Sequence, residues 1–105
     1  GQGRALELMY TSREVDAEEA VRIGLANASV VDPRNHALEI ARELAEAPPL
    51  SLMWEKREVQ HTWESSLQEQ IEFEWVAQGQ ISKSEDVREG RLAFVEKRKA
   101  NFKGK

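Results

Sequence analysis

Five cations and no acid stand among the last nine residues of the chain: Lys97, Arg98, Lys99, Lys103 and Lys105. A cluster of this kind can hold a small phosphorylated ligand. It begins at the end of a segment, Ser84 to Arg98, that reads as a capped amphipathic helix. Ser84 can accept a hydrogen bond from the free amides of the first turn, and Glu85 and Asp86 lie where the helix dipole favours negative charge. Val87, Leu92 (or Arg91 by its stem), Phe94 and Val95 supply an apolar stripe. Gly90 costs about 1 kcal/mol against alanine inside a helix, which predicts close packing against a neighbouring backbone. Lys97, Arg98 and Lys99 are placed to complement the negative end of the dipole. From charge alone, that solvated helix end is the simpler explanation of the cluster.

The elements that must position this end belong to a chain of 105 residues, 40% hydrophobic and 32% charged. These values predict one small globular, soluble domain that buries roughly two thirds of its unfolded surface. No apolar run approaches the length of a bilayer span, and the N-terminus lacks a charged stretch followed by an apolar one. Without cysteine, disulfides, thiolate catalysis and Cys-zinc sites are excluded from these residues, and an intracellular setting fits. Net charge is −4, yet residues 1–96 hold 10 bases against 19 acids. So acidic a body would repel nucleic acid.

Helices are expected nearly throughout. Arg4 to Tyr10 reads as the end of one, with Ala5, Leu8 and Met9 on one side. Asp16 and Glu19 form a capping box for a helix of about two turns that ends at Gly24, a left-handed cap. Leu25 to Val31 reads as extended and closes at Asp32-Pro33. A third helix carries Ala37, Leu38, Ala41, Leu44 and Ala45 on one face and ends at Pro48-Pro49. A fourth runs from Leu50 to about His61, with Leu52, Lys56, Val59 and Trp63 along one side. Ser66 and Glu69 form a second capping box, opening a helix through Ile71, Trp75 and Gln78 that Gly79 and Ser82 break. Thr11 to Val15 and Ala28 to Val31 could pair at most as a short two-stranded ribbon. The fold class is therefore all-α, an irregular helical subdomain.

Other chemistry-bearing residues have plainer explanations. Capping and solvation account for Glu7, Glu14, Glu18 and Glu19 better than acid–base pairing does. His36 and His61 lack partners at ligand spacing, so a metal site is not expected. Trp54, Trp63, Trp75, Phe73 and Leu67 serve as core, or as a surface covered by another domain or subunit.

The chain resembles the crotonase superfamily, the enoyl-CoA hydratases and isomerases, along its whole length. Its members commonly close on an acidic residue, Glu-Gly, Ala-Phe, Glu-Lys-Arg and a later Phe. Here these are Asp86, Glu89-Gly90, Ala93-Phe94, Glu96-Lys97-Arg98 and Phe102. Gly1 to Leu8 is similar to the family's Gly-x-x-Arg-Ala-x-Glu-Leu helix, and Asp16-Ala17 through Gly24-Leu25-Ala26-Asn27 resembles its Ala-x-Glu-Ala…Gly-Leu-Val-Asn pattern. Pro48-Pro49 and Lys56 match its Pro-Pro…Lys helix. Ser12 departs from the family's Thr-Gly-Arg, so the turn there must avoid a positive φ or be strained.

The resemblance implies residues 1–31 as the end of a spiral-domain region with a short capped helix. Residues 32–105 would form a C-terminal helical subdomain for oligomerisation and coenzyme A contact. It places the oxyanion hole and the catalytic glutamates before Gly1, so no catalytic residue is assigned in this segment, which alone is expected to be inactive. Phe94 is implied to pack near the adenine or acyl chain and Lys97 to approach the coenzyme A phosphates, across a subunit boundary. The implied partners are an acyl-CoA substrate and further copies in a homo-oligomer, a trimer or hexamer, with neither nucleic acid nor membrane. Coenzyme A enters as part of the substrate, and no separate cofactor is implied. The implied location is cytoplasmic, or the mitochondrial matrix in a eukaryote. The alternative is a non-catalytic helical interaction or oligomerisation module; a protein with a nucleic-acid-binding basic tail ranks last.

Overall fold

The computed structural model describes residues 1–105. Six helices follow in order: α1 (Gln2–Thr11), α2 (Ala17–Arg22), α3 (Pro33–Ala45), α4 (Pro49–His61), α5 (Leu67–Ile81) and α6 (Glu85–Glu96). No strand forms, so the chain is all-α and the contingent ribbon is absent. Two compact units, residues 1–38 and 39–105, divide it within α3.

In the first unit, α1 closes on Ser12, which adopts the left-handed conformation at φ 50°, ψ 27° and donates its backbone N–H to the Leu8 carbonyl. Of the two options the sequence left at this turn, the strained one is realised, because the turn needs a left-handed residue and serine occupies it. Asp16 caps α2 by accepting from the Glu19 amide at 2.7 Å. Only half of the expected capping box forms. The Glu19 carboxylate turns instead to Arg13, whose guanidinium donates to both of its oxygens at 2.9 Å. Arg13 Nε also donates to Glu7 at 3.2 Å, and the pairing holds the Glu19 carboxyl below its ordinary range. Gly24, at φ 75°, ends α2 as expected. Leu25 and Gly24 donate to the carbonyls of Ala20 and Val21, the bond pair of a Schellman cap.

In the second unit, Pro49 stands at the first position of α4, where its missing N–H would have had no partner. The full capping box of Ser66 and Glu69 opens α5. This helix runs through Gly79, which was expected to break it, and ends at Ser82. A single glycine costs only about 1 kcal/mol, which the surrounding turns outweigh. The rings of Trp54 and Phe73 meet edge to face at 5.7 Å, and His61 stacks on Phe73 at 4.5 Å. Gln70 spans the same corner, donating to the Glu58 carbonyl at 3.3 Å and facing His61 Nδ1 at 3.0 Å. These contacts zip α4 and α5 into an antiparallel hairpin.

Ala77 and Ala93 are the only fully buried apolar residues. The apolar faces expected to form a core are largely uncovered: Leu38, Leu44, Val59, Trp63 and Trp75 are all exposed. The accessible surface is 8863 Å², against about 6,000 Å² for a self-contained chain of this mass. About half of the unfolded surface is buried rather than the two thirds expected. The helices are amphipathic, but their apolar sides have little within the chain to close upon.

Relieving the strain at Ser12 should stabilise the first unit. Ser12→Gly is expected to raise its unfolding free energy by roughly 0.5 to 1 kcal/mol, the left-handed penalty less the added entropy of the unfolded chain. Ser12→Val should lower it, and chemical denaturation of the two variants measures both.

Candidate functional site

Beyond α6 the chain doubles back along the helix it has just left. Asp86, only 4% exposed, receives the backbone amides of Lys103 and Gly104, one on each carboxylate oxygen, both at 2.7 Å. At the end of the tail, the amides of Glu85 and Asp86 donate to the Lys105 carbonyl at 2.7 and 3.3 Å. Glu89, one turn on, receives the Asn101 amide at 2.8 Å and both terminal nitrogens of Arg98, at 2.5 and 2.9 Å. Arg98 Nε pairs with Glu96, and Lys99 pairs with Glu46. The cations expected to complement the dipole are thus mostly engaged with carboxylates.

Phe102 lies over Gly90. A Cβ built on Gly90 would meet its ring carbons at 3.4 and 3.7 Å. The expected close approach of a backbone does not occur; an aromatic ring occupies that place at ordinary contact distance. Gly104, at φ 74°, packs beside Pro49 and lets the tail turn.

The tail covers one side of α6, that of Asp86, Glu89, Gly90 and Ala93, and leaves Leu92, Phe94 and Val95 bare. Phe94 is 86% exposed and Val95 76%, so the apolar stripe read from the sequence is not the buried face of the helix. Lys97, the helix C-cap, sits at φ 52°, ψ 40°, its own N–H given to the Ala93 and Phe94 carbonyls. Its ammonium forms no ion pair. Lys97 and Phe94 are three residues apart at one helix end, an aromatic face and a free cation together in solvent. An aromatic face suits a purine or apolar chain, and an ammonium suits a phosphate.

Elsewhere the candidates serve packing. His61 belongs to the corner with Phe73 and Gln70, and no group of three potential metal ligands gathers anywhere in the chain. Arg57 lies 5.3 Å from the centre of the Trp54 ring, whose Nε1 is buried without an acceptor. The roles of Asp86 and Glu89 as tail anchors were missed. Their signal was the spacing of Asp86, Glu89, Gly90 and Ala93, which share a helix face that the apolar residues do not.

The family model for enoyl-CoA hydratase/isomerase matches residues 1–105. The chain belongs to this family. It is 34% identical over 102 residues to a short-chain-enoyl-CoA hydratase of Clostridium acetobutylicum, covering 94% of this chain and 39% of that protein. To the methylmalonyl-CoA decarboxylase of Escherichia coli it is also 34% identical, over 93% of this chain and 39% of the other. Its fold superposes on the crystal structure of an enoyl-CoA hydratase from Bacillus anthracis with a TM-score of 0.90 and 32% identity, over 98% of this chain and 41% of that one. The chain therefore spans about two fifths of the length of the family members it matches. No helix in it is long and apolar enough to cross a membrane.

The two anchors should respond differently to change. Asp86→Ala leaves two amides without a charged acceptor, worth about 2 to 3 kcal/mol. Hydrogen exchange at Lys103 and Gly104 should then accelerate on the order of 100-fold. Glu89 is held at about 2 from an ordinary value of 4.5, chiefly by the Arg98 guanidinium and then by the Asn101 amide. Because its folded value is depressed, its contribution is complete above pH 4.5 and fades as pH falls toward 2. The Asn101 amide resonance should titrate with a midpoint near pH 2, the folded value, and Glu89→Gln should abolish the titration.

Proposed function

We propose that this chain is the C-terminal helical part of an acyl-CoA-transforming enzyme of the enoyl-CoA hydratase/isomerase family. Residues 1–31 would end the spiral-domain region and residues 32–105 form the subdomain for assembly and coenzyme A contact. In this reading, the end of α6 meets coenzyme A bound to a neighbouring subunit of a homo-oligomer, a trimer or hexamer. Phe94 packs against the adenine or acyl chain, and Lys97 faces a phosphate. The observation that carries the reading is the exposed pair itself: an 86% exposed aromatic residue and an unpaired lysine on a helix end fixed from behind by its own tail.

The division of labour follows from the chemistry. A 2-enoyl thioester takes up water, or shifts its double bond, through an enolate whose oxygen needs preorganised donors. We assign those donors and the proton-transferring carboxylates to other parts of the full-length protein, and to this segment only binding of the carrier. We assign contact with the carrier to uniform binding, which holds the ground and transition states equally and so sets KM rather than kcat. The similarity to both a hydratase and a decarboxylase agrees with a segment that handles what acyl-CoA reactions share. In this reading the enzyme is cytoplasmic, or belongs to the mitochondrial matrix in a eukaryote.

In the full-length protein, Lys97→Ala should raise KM for crotonyl-CoA about tenfold, the worth of one charge-assisted contact, with kcat within twofold of the parent. The preference for coenzyme A over its 3′-dephospho form should shrink in parallel. Phe94→Ala should raise KM about five- to tenfold and leave that preference intact. Unchanged KM values in both variants would contradict the assignment. Assays with crotonyl-CoA and with 3-enoyl-CoA thioesters decide between hydration and isomerisation.

A further inference from the structure

Lys97 stands in a conformation that lysine does not favour. At φ 52° and ψ 40° its Cβ crowds the backbone, a penalty that glycine escapes. Strain of this kind persists only where the surroundings over-determine it. At the end of α6 they do so twice. The Arg98 N–H reaches the Ala93 carbonyl at 3.0 Å and the Lys97 N–H the Phe94 carbonyl at 3.3 Å, the bond pair of a Schellman cap. An apolar contact made by the residue after the left-handed position frequently accompanies that motif. Here that residue is Arg98, and ion pairs take the place of the apolar contact. Its Nε donates to Glu96 at 2.6 Å. One terminal nitrogen donates to Glu89 at 2.5 Å and to the Lys99 carbonyl at 3.1 Å, and the other to the second Glu89 oxygen at 2.9 Å. These partners lie on both sides of Lys97, with Glu96 just before it and Lys99 two residues after.

The same pairings decide what the Lys97 ammonium does not touch. Glu96 is its neighbour in the chain and Glu89 lies two turns back along α6. Both carboxylates are taken by Arg98, and Lys97 is left without an ion pair. The geometry points to Arg98 as a positioning residue for the coenzyme A contact, acting on the ligand only through Lys97. It holds Lys97 left-handed, which fixes the direction in which that side chain leaves the backbone, and it keeps two carboxylates away from the ammonium. Once Arg98 lets go, Lys97 can relax to a right-handed conformation and pair with a freed carboxylate, and both changes compete with a phosphate. A lysine in place of Arg98 would not serve, because an ammonium is a point charge without the planar fork that reaches two carboxylates and a carbonyl together. This inference deepens the contact proposed above for Lys97 and rests on it.

Steady-state kinetics of the full-length protein provide the test. Arg98→Lys keeps the charge and removes the fork, so KM for crotonyl-CoA should rise about fivefold, with kcat within about twofold of the parent. The preference for coenzyme A over its 3′-dephospho form should shrink in parallel. In a Lys97→Ala background the same change should raise KM less than about twofold, because residues that act through one another do not add. Glu96→Gln leaves the guanidinium in place and weakens one of its pairings, and it should raise KM about twofold. Hydrogen exchange read by mass spectrometry is the second measurement. In Arg98→Lys the Lys97 and Arg98 amides should exchange roughly tenfold faster, with those of α5 unchanged. A Lys97→Ala variant with the parental KM overturns the coenzyme A contact itself. With that variant impaired, an Arg98→Lys protein of parental KM overturns only the positioning role. An Arg98→Lys effect undiminished beside Lys97→Ala would do the same, and so would exchange accelerated throughout α5, which would mark the arginine as a support of the fold alone.

Discussion

Two carboxylates on one face of α6 hold the second unit in its observed form. Asp86 and Glu89 gather three backbone amides and a guanidinium from the eight residues that follow the helix. A charged acceptor makes bonds roughly twice as strong as a neutral one, so two side chains suffice to fold back a tail that has no secondary structure of its own. Phe102 is thereby laid over Gly90, Gly104 is set beside Pro49, and Lys99 reaches Glu46. The beginning of α4, the end of α3 and the whole of α6 are tied together through this strand of irregular chain.

What the tail covers determines what remains available. By occupying the face of Asp86, Glu89, Gly90 and Ala93, it directs Phe94, Val95, Arg91 and Lys97 outward. A helix end anchored in this way presents an aromatic ring and an ammonium on backbone that is already ordered, which lowers the cost of any contact they make. The same exposure is costly for the chain in isolation. With two alanines as its buried apolar residues, it depends on surfaces outside itself to bury its helices. In the proposed function, binding and assembly are two consequences of one arrangement.

Much of this was legible in the residues. The caps at Asp16, Ser66 and Ser84 and the stops at Gly24 and Pro48-Pro49 are local chemistry, and each falls where the sequence put it. The family was legible too, because its closing motif is compact and ordered. Burial was not. Amphipathic spacing says that a face is apolar, and nothing in it says whether a partner lies within the chain; Leu44, Val59 and Trp75 are apolar, periodic and bare. Side chains with two competing partners were also misjudged. Glu19 forgoes its own cap for Arg13, and Arg98 leaves the helix dipole for Glu89. In both cases a guanidinium offering two parallel bonds outweighs a weaker local contact, and that choice depends on proximity brought about by folding.

The most direct test of the account is a crystal structure of the full-length protein with an acyl-CoA thioester bound. The account predicts the Phe94 ring against the adenine or acyl chain of a ligand held by the adjoining subunit. It predicts Lys97 Nζ within about 3 Å of a phosphate oxygen of that same ligand. Coenzyme A bound with α6 remote from it, and Phe94 and Lys97 still in solvent, would contradict the account.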